Sequence, residues 1–378
     1  MAAMKHRKSR ISIAYGVMGY GRGHAMRSAA VLPALMERYN VTVYAGGDAY
    51  EAMVDRFPVV RIPTLGYAYG PGGRISWSHT MAKNVPAASD LLLGGNGMRN
   101  LLRELRLRDT RLVISDSEAW THRAARRLGL PRISFDHVGI IAWCNPPLPR
   151  EDWLSGHRDA LGYRFLMGNP ERILLSSFYP AVPRRPGIEI IPPLMRDEVV
   201  NTRPSEGDYL LAYFNKGQEQ YLPSVEDTLK QLPCPVRIYG TSRSGQDGNL
   251  TYLPPANQAF VEDVAGSQAI LSTAGNQLIG EALYYRKPIL VVPEDCFEQR
   301  LNAYMVKRMG IGERAALTDL NIDAIEAFLV NADTYRANMR QYSADGRQVA
   351  VARMLDMTAD LLATASTTSQ PRLIPSSA

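Results

Sequence analysis

Two stretches of the chain concentrate the residue types that do chemistry. The first, GVMGYGRGHAMRSAAVLPALMERY at residues 16 to 39, places four glycines and one histidine ahead of an apolar run at helical spacing. Gly19 and Gly21 fit the first two places of the G-x-G-x-x-G dinucleotide fingerprint, but the third falls on His24, which weakens a phosphate-cradle reading of this turn. The second, STAGNQLIGEALYYRKPILVVPEDCFEQRLNA at residues 272 to 303, has a strand ending at Thr273, a glycine at 275 and a helix expected from Asn276. Free backbone N–H groups and the positive helix end at Gly275, Asn276 and Gln277 suit a phosphate or pyrophosphate. Glu281, about one and a half turns further in, is placed to accept hydrogen bonds from vicinal ribose hydroxyls. Glu298 and Gln299, an adjacent carboxylate and amide after the next strand, suit sugar hydroxyls. Phosphate, ribose and sugar binders in this order describe a nucleotide-sugar site. Lys216, on a loop after an earlier strand, is a further candidate for the phosphates, with a solvated lysine as the alternative.

These groups need elements to hold them. RISIAYGV (10 to 17) has the pattern of a buried strand, followed by a helix from about His24 to Arg38 and a second strand, YNVTVYAGG (39 to 47), which makes a βαβ unit. The alternation continues with strand RLVISDS (111 to 117), helix EAWTHRAARRLG (118 to 129) and strand LPRISFDHV (130 to 138). Strands that are apolar throughout predict a parallel sheet covered on both faces. After the proline-rich stretch at 190 to 208 a second series begins, with strands expected at 209 to 215, 235 to 241, 250 to 254, 269 to 275 and 287 to 293. The expected organisation is α/β, with two doubly wound Rossmann-like domains facing each other across a cleft: residues 1–195, a linker at 196–208, residues 209–345, a C-terminal helix at 346–365 and a disordered tail at 366–378. Ligands in such sheets sit outside the carboxyl ends of the strands.

Both motif-bearing stretches resemble the GT-B glycosyltransferases of the UDP-glucuronosyltransferase and MurG-like superfamily. The closest likeness is to a bacterial and archaeal branch with G-x-G-R-G-H-x-x-R-S near the start and E-A-L-Y-x-x-K-P and E-Q-x-x-N-A near the end; the middle of the first half matches only in pattern. The resemblance implies an N-terminal acceptor-binding domain and a C-terminal donor-binding domain that uses a nucleoside-diphosphate sugar, uridine or thymidine based, as substrate, with no cofactor or metal. It implies that His24 takes the proton from an acceptor hydroxyl, that Asp116 orients the histidine, and that the sugar is transferred by single displacement with inversion. One position departs from the pattern: Thr273 stands where the superfamily has a pyrophosphate-binding histidine eight residues before the ribose glutamate.

Other roles compete for the same residues. His24 is alternatively a helix-start histidine satisfied by backbone, Asp116 a cap for the following helix, Glu281 a solvated helix carboxylate, and Glu298 with Gln299 a surface-loop pair. The loop LGYAYGPGGRISWSH (65 to 79) offers Tyr67, Tyr69, Trp77 and His79 as an acceptor wall, or else as core. Phe135 and His137, at the end of another strand, are the next acceptor candidates. A nucleotide-sugar 2-epimerase and a non-catalytic sugar-nucleotide-binding partner subunit are the competing functions.

Composition narrows the setting. The chain has 378 residues, 46% of them hydrophobic, enough for two cores. Its net charge of +6 owes much to Lys5, Arg7, Lys8, Arg10 and nearby Arg22, and it lacks the basic stripe with interleaved aromatics of a nucleic-acid binder. Cys144, Cys234 and Cys296 form neither a C-x-x-C pair nor an even disulfide framework. With no run near the ~18 apolar residues of a membrane span, the expectation is a cytoplasmic monomer or homodimer whose membrane association is at most peripheral. Its acceptor is expected to be a small or lipid-like molecule.

Overall fold

The computed structural model describes residues 10–70, 75–214, 217–254, 256–342 and 344–368. Most of the basic leader, the tip of the aromatic loop, Lys216 and the tail from residue 369 lie outside the described residues.

The first half is a seven-stranded, fully parallel sheet of β1 (Ser12–Val17), β2 (Asn40–Ala45), β3 (Val59–Arg61), β4 (Thr110–Asp116), β5 (Arg132–Asp136), β6 (Arg172–Ser176) and β7 (Ile188–Ile191), in the order β3-β2-β1-β4-β5-β6-β7. The second is built alike from β8 (Leu210–Tyr213), β9 (Val236–Tyr239), β10 (Gly245–Asp247), β11 (Leu250–Leu253), β12 (Ala269–Ser272), β13 (Ile289–Val291) and β14 (Gly312–Arg314), in the order β10-β11-β9-β8-β12-β13-β14. Only β10 runs antiparallel to its neighbour. In each sheet the strand order reverses once, between β1 and β4 and between β8 and β12, and a crevice opens at the carboxyl ends there. Both motif-bearing stretches follow a strand at these two points.

The helices that matter below are α1 (Gly23–Arg38), α2 (Trp77–Leu93), α3 (Ala119–Leu128), α4 (Trp153–Met167), α5 (Asn276–Tyr285), α6 (Phe297–Arg308) and α7 (Arg347–Thr368). The short strands β3, β7, β10 and β14 carry too few residues to announce a period of two. Ile190 and Ile191, at the head of the proline-rich stretch, belong to β7, which Pro192 and Pro193 end because they have no N–H for the ladder. A helical turn, Asp197–Asn201, forms within the linker.

The chain crosses between the halves twice, and the two crossings are tied together. Asp345 accepts a hydrogen bond from the Met195 N–H at 3.1 Å, and the Gly346 N–H donates to the Pro193 carbonyl at 2.9 Å. Beyond this point α7 returns to the first domain. Ala350, Met354, Met357 and Leu361 recur at helical spacing and are buried with Val31, Leu35, Leu112 and Ile114. Arg353 adds a two-bond ion pair with Glu189 on β7, at 2.5 and 2.6 Å.

All four tryptophans (77, 120, 143 and 153) lie in the first half, so their fluorescence reports on that domain. Met354→Ala, at a fully buried position more than 150 residues downstream of the last of them, should lower the tryptophan-detected urea midpoint. The expected loss is about 2–5 kcal/mol. An unchanged midpoint would detach α7 from this core.

Candidate active site

The glycine turn between β1 and α1 is shaped by contacts. A Cβ at Gly19 would lie 2.5 Å from the Gly46 carbonyl oxygen, and Gly21 has a φ of +80°. The Gly21 N–H donates to Asp48 at 2.9 Å. Val17 pairs with Asp116 in the β1–β4 register, so the first turns of α1 come to lie over the end of β4.

Four groups meet there. His24 Nδ1 lies 2.6 Å from Asp116 Oδ1; Arg27 donates through Nε to Oδ2 at 3.0 Å and through Nη2 to Oδ1 at 2.5 Å; Ser28 Oγ donates to Oδ2 at 3.2 Å. Burial pushes the Asp116 carboxyl up, but the charges and hydrogen bonds of Arg27 and His24 outweigh it and hold the group below its ordinary range. Asp116 is therefore a carboxylate with a buried counter-ion, and His24 donates its Nδ1 proton to it. Among the described residues Nε2 has no hydrogen-bond partner, and the side chain keeps 18% of its surface exposed.

The alternative of Asp116 as a helix cap fails, because Glu118 fills that place by accepting from the Trp120 and Thr121 N–H groups at 2.8 and 2.7 Å. Ser117, at a φ of +53°, turns the chain between the two acids. Arg27 and Ser28 were not singled out from sequence. Their signal is a basic residue and a hydroxyl three and four places beyond His24, on the same helix face.

Across the cleft, α5 begins at Asn276 with no side chain capping its first turn. Its Gln277 approaches Gly23 closely enough that a Cβ on the glycine would lie 3.9 Å from that of Gln277. The amino ends of α1 and α5 thus oppose each other. Thr273 lines a cavity of about 340 Å³ with Gln220, Pro293, Glu294, Arg314 and Thr318. Asn276 reaches the Ser176 carbonyl of the first domain at 3.5 Å, and among the described residues its Oδ1 is buried without a partner. Glu281 is buried, which excludes a solvated carboxylate. Arg196, from the linker, grips both its oxygens at 3.0 Å, and Gln277 donates to one at 3.1 Å. Nothing in the sequence around Arg196 announces this pairing.

Two assignments need correction. Phe135 is fully buried in the first core, with the Arg27 guanidinium 6.0 Å from its ring centroid, so it cannot line an acceptor site. His137 is buried and spans the domains, with Nδ1 2.8 Å from the Ser176 carbonyl and Nε2 3.0 Å from Asn302 Oδ1 on α6; it is a strut rather than part of a wall. Gln299 is also buried, and its Oε1 accepts from the Ala274 and Glu294 N–H groups at 3.1 and 3.0 Å. That carbonyl staples the loops after β12 and β13, while the Gln299 amide nitrogen makes no hydrogen bond among the described residues.

Glu298 faces Asn302, which donates to it at 2.7 Å, and His137 at 3.5 Å. Burial pushes its carboxyl up to about 7, and burial pushes His137 down to about 4. Of the aromatic loop, Tyr67 packs edge-to-face between Tyr20 and Trp77, with centroids 5.2 and 6.0 Å away, and the Tyr69 hydroxyl meets that of Tyr20 at 2.5 Å. None of the three loop aromatics is fully buried, and Trp77 is exposed, so they are not core. His79 is exposed and bonds Ser76 Oγ at 2.9 Å in the first turn of α2.

This geometry has relatives. Residues 11–332 match the family described as Glycosyl transferase family 1. The chain belongs to that family. Its fold is GT-B. Among solved structures it resembles UGT2 of Phytolacca americana complexed with UDP-2-fluoro-glucose and pterostilbene (16% identity, TM-score 0.64, covering 94% of this chain and 99% of that one). It also resembles the glycosyltransferase VinC in complex with dTDP (14%, 0.62, 94% and 100%) and the MurG of Acinetobacter baumannii (14%, 0.58, 92% and 99%). No curated protein matches with significance. As a family 1 member the protein is a glycosyltransferase of GT-B type.

The shifted acids make its stability depend on pH. Burial raises both Glu118 and Glu298 from 4.5 to about 7, so between these values the folded state holds more protons than the unfolded one. The stability they contribute is full below 4.5 and is lost as pH rises through 7. Glu298→Gln removes one of these falling limbs. Its unfolding free energy, measured by denaturant titration from pH 5 to 8, should decline less steeply than that of the wild type; parallel curves would contradict the shift.

Proposed function

We propose that the protein moves a sugar from a nucleoside-diphosphate donor to a hydroxyl of a small or lipid-like acceptor, inverting the anomeric carbon, in natural-product or glycolipid biosynthesis. The observation that carries this reading is the His24–Asp116 contact at 2.6 Å with Nε2 left unpartnered among the described residues. Nε2 takes the acceptor proton while the acceptor oxygen bonds to the anomeric carbon and the bond from that carbon to the phosphate oxygen breaks. Asp116, whose charge Arg27 already balances, orients the ring through Nδ1 and stabilises the imidazolium by that hydrogen bond, a role like that of the aspartate in a hydrolase triad.

The departing nucleoside diphosphate leaves its charge at the amino end of α5, where the backbone of Gly275, Asn276 and Gln277 and the Thr273 hydroxyl donate. Glu281 serves the ribose once Arg196 yields a carboxylate oxygen to it, and the released guanidinium supplies positive charge beside a phosphate site that lacks the usual histidine. Glu298 and the Gln299 amide nitrogen are the candidates for sugar hydroxyls, and Tyr67, Tyr69 and Trp77 flank the acceptor. Two of the structural neighbours hold UDP-2-fluoro-glucose or dTDP, which supports a pyrimidine-nucleotide hexose as donor. The donor is a substrate, so the reading needs no cofactor and no metal. Three free cysteines suit a reducing cytoplasm. A 2-epimerase or a non-catalytic subunit would leave the His24–Asp116–Arg27 cluster without a task.

With a panel of UDP- and dTDP-hexoses, release of nucleoside diphosphate should fall about 10²-fold or more in His24→Ala. Asp116→Asn should lose less, and the double mutant should lose no more than His24→Ala, because a dyad acts as a unit. Donor affinity by calorimetry should be nearly unchanged in these variants and weakened in Glu281→Ala. A fully active His24→Ala enzyme would return the histidine to a structural role.

A further inference from the structure

Two helices of the first domain display apolar side chains that the core does not use. Of the 17 residues of α2 only Thr80 and Leu91 are buried, while Trp77, Met81 and Val85, one turn apart, form an exposed stripe in which Met81 is 67% exposed. On α4, Leu154, Leu161 and Phe165 form a second stripe, at 74%, 62% and 64% exposure.

The stripes adjoin. Arg158, between Leu154 and Leu161 on the α4 stripe, has its guanidinium carbon 5.9 Å from the Trp77 ring centroid. Toward the other end, α3 fills the space with arginines. Arg123 lies 4.9 Å from the Phe165 ring centroid and donates to the Phe165 carbonyl at 2.8 Å; Arg127 donates to the Leu92 carbonyl at 3.4 Å, and Arg126 beside it is exposed. The acids nearby are already engaged: Asp159 with Arg158 at 3.0 Å, and Asp90 with the Gly97 and Met98 N–H groups and the Trp120 indole.

From this we infer that the face formed by α2, α3 and α4 docks on an anionic lipid bilayer. A contiguous apolar face on a soluble domain marks an interaction surface. Arginines among tryptophan, leucine and phenylalanine match the headgroup boundary, where aliphatic groups enter the acyl region and guanidinium groups stay at the phosphates. A second copy of the chain would set arginine against arginine, whereas anionic headgroups complement them. Among the described residues no helix is long and apolar enough to cross a membrane, so α2 lies on the surface instead of spanning it.

The face also continues into the cleft. Trp77 packs on Tyr67 and Tyr67 on Tyr20, in the glycine turn that carries His24. Resting on the proposed transfer reaction, this continuity names the acceptor class: a lipid whose chains remain in the bilayer while its hydroxyl reaches His24.

The full chain would be sedimented with vesicles of phosphatidylcholine alone and of phosphatidylcholine with phosphatidylglycerol. Binding is expected to the anionic vesicles only and to weaken with salt. Met81→Asp with Leu161→Asp, and separately Arg126→Glu with Arg127→Glu, should each lower the partition coefficient at least 10-fold while donor hydrolysis in solution stays at the wild-type rate. Equal partition of wild type and variants overturns the inference. So does a wild-type dimer in solution that the same substitutions dissociate, because a second copy then covers the face. Vesicle binding is measured without donor, so its failure leaves the transfer reaction untouched. Binding without sugar transfer to any vesicle lipid would sustain the surface and reject the lipid as acceptor.

Discussion

A carboxylate at the end of β4, sealed from water, is the constraint around which the first domain and its site are arranged. Asp116 is fully buried, and a buried charge is costly unless it is paired and hydrogen-bonded. Arg27 supplies the counter-charge through two bonds, and Ser28 and His24 fill the remaining acceptor positions. Because the guanidinium balances the carboxylate, the histidine is needed only as a hydrogen-bond donor. That division of labour explains how one acid can hold both a structural cation and a base. It also fixes where α1 begins, since its first two turns must bring three side chains to the same acid.

Contacts between the domains follow from the same placement. The amino ends of α1 and α5 oppose each other at Gly23 and Gln277, and on one side of them His137 meets Asn302 while Asn276 meets Ser176. Gln299 braces the loops that carry Ala274 and Glu294, so the donor side is held by hydrogen bonds to backbone as well as by packing. Two groups remain poised for change. Glu281 is held by an arginine of the interdomain crossing, and among the described residues the Asn276 Oδ1 is buried without a partner next to the helix end, although most buried polar atoms in proteins are satisfied.

The aromatic wall joins this cleft to the outer surface. Tyr20 belongs to the glycine turn, Tyr67 to the following loop and Trp77 to the first turn of α2, and edge-to-face packing makes them one unit. A helix as thinly packed as α2 is retained by the loop contacts at its start and by Asp90 near its end, which caps the next helix and accepts from Trp120. Its exposed stripe is thus free to serve something other than the core.

Local chemistry by itself determined the central strands of the two sheets, the glycine turn ahead of α1 and the uncapped start of α5. Each is written in a few adjacent residues: an apolar run makes a buried strand, glycine permits the turn, and helical spacing makes the helix. The same locality made His24, Asp116, Thr273 and Glu281 legible as a group, since each stands at a strand end or in the helix that follows one. Partners distant in sequence were decided only by the tertiary structure. Phe135 and His137 end the same strand and look alike as candidates, yet one entered the core and the other met Asn302, 165 residues away. Gln299 turned its carbonyl to backbone N–H groups because two loop ends would otherwise lack acceptors. Arg196 found Glu281 because a buried carboxylate requires a cation, and α7 returned to the first domain because its apolar face matches the groove beside α1. Burial is a property of the whole chain's packing, and the charges and polar atoms that must answer it are chosen by proximity in space.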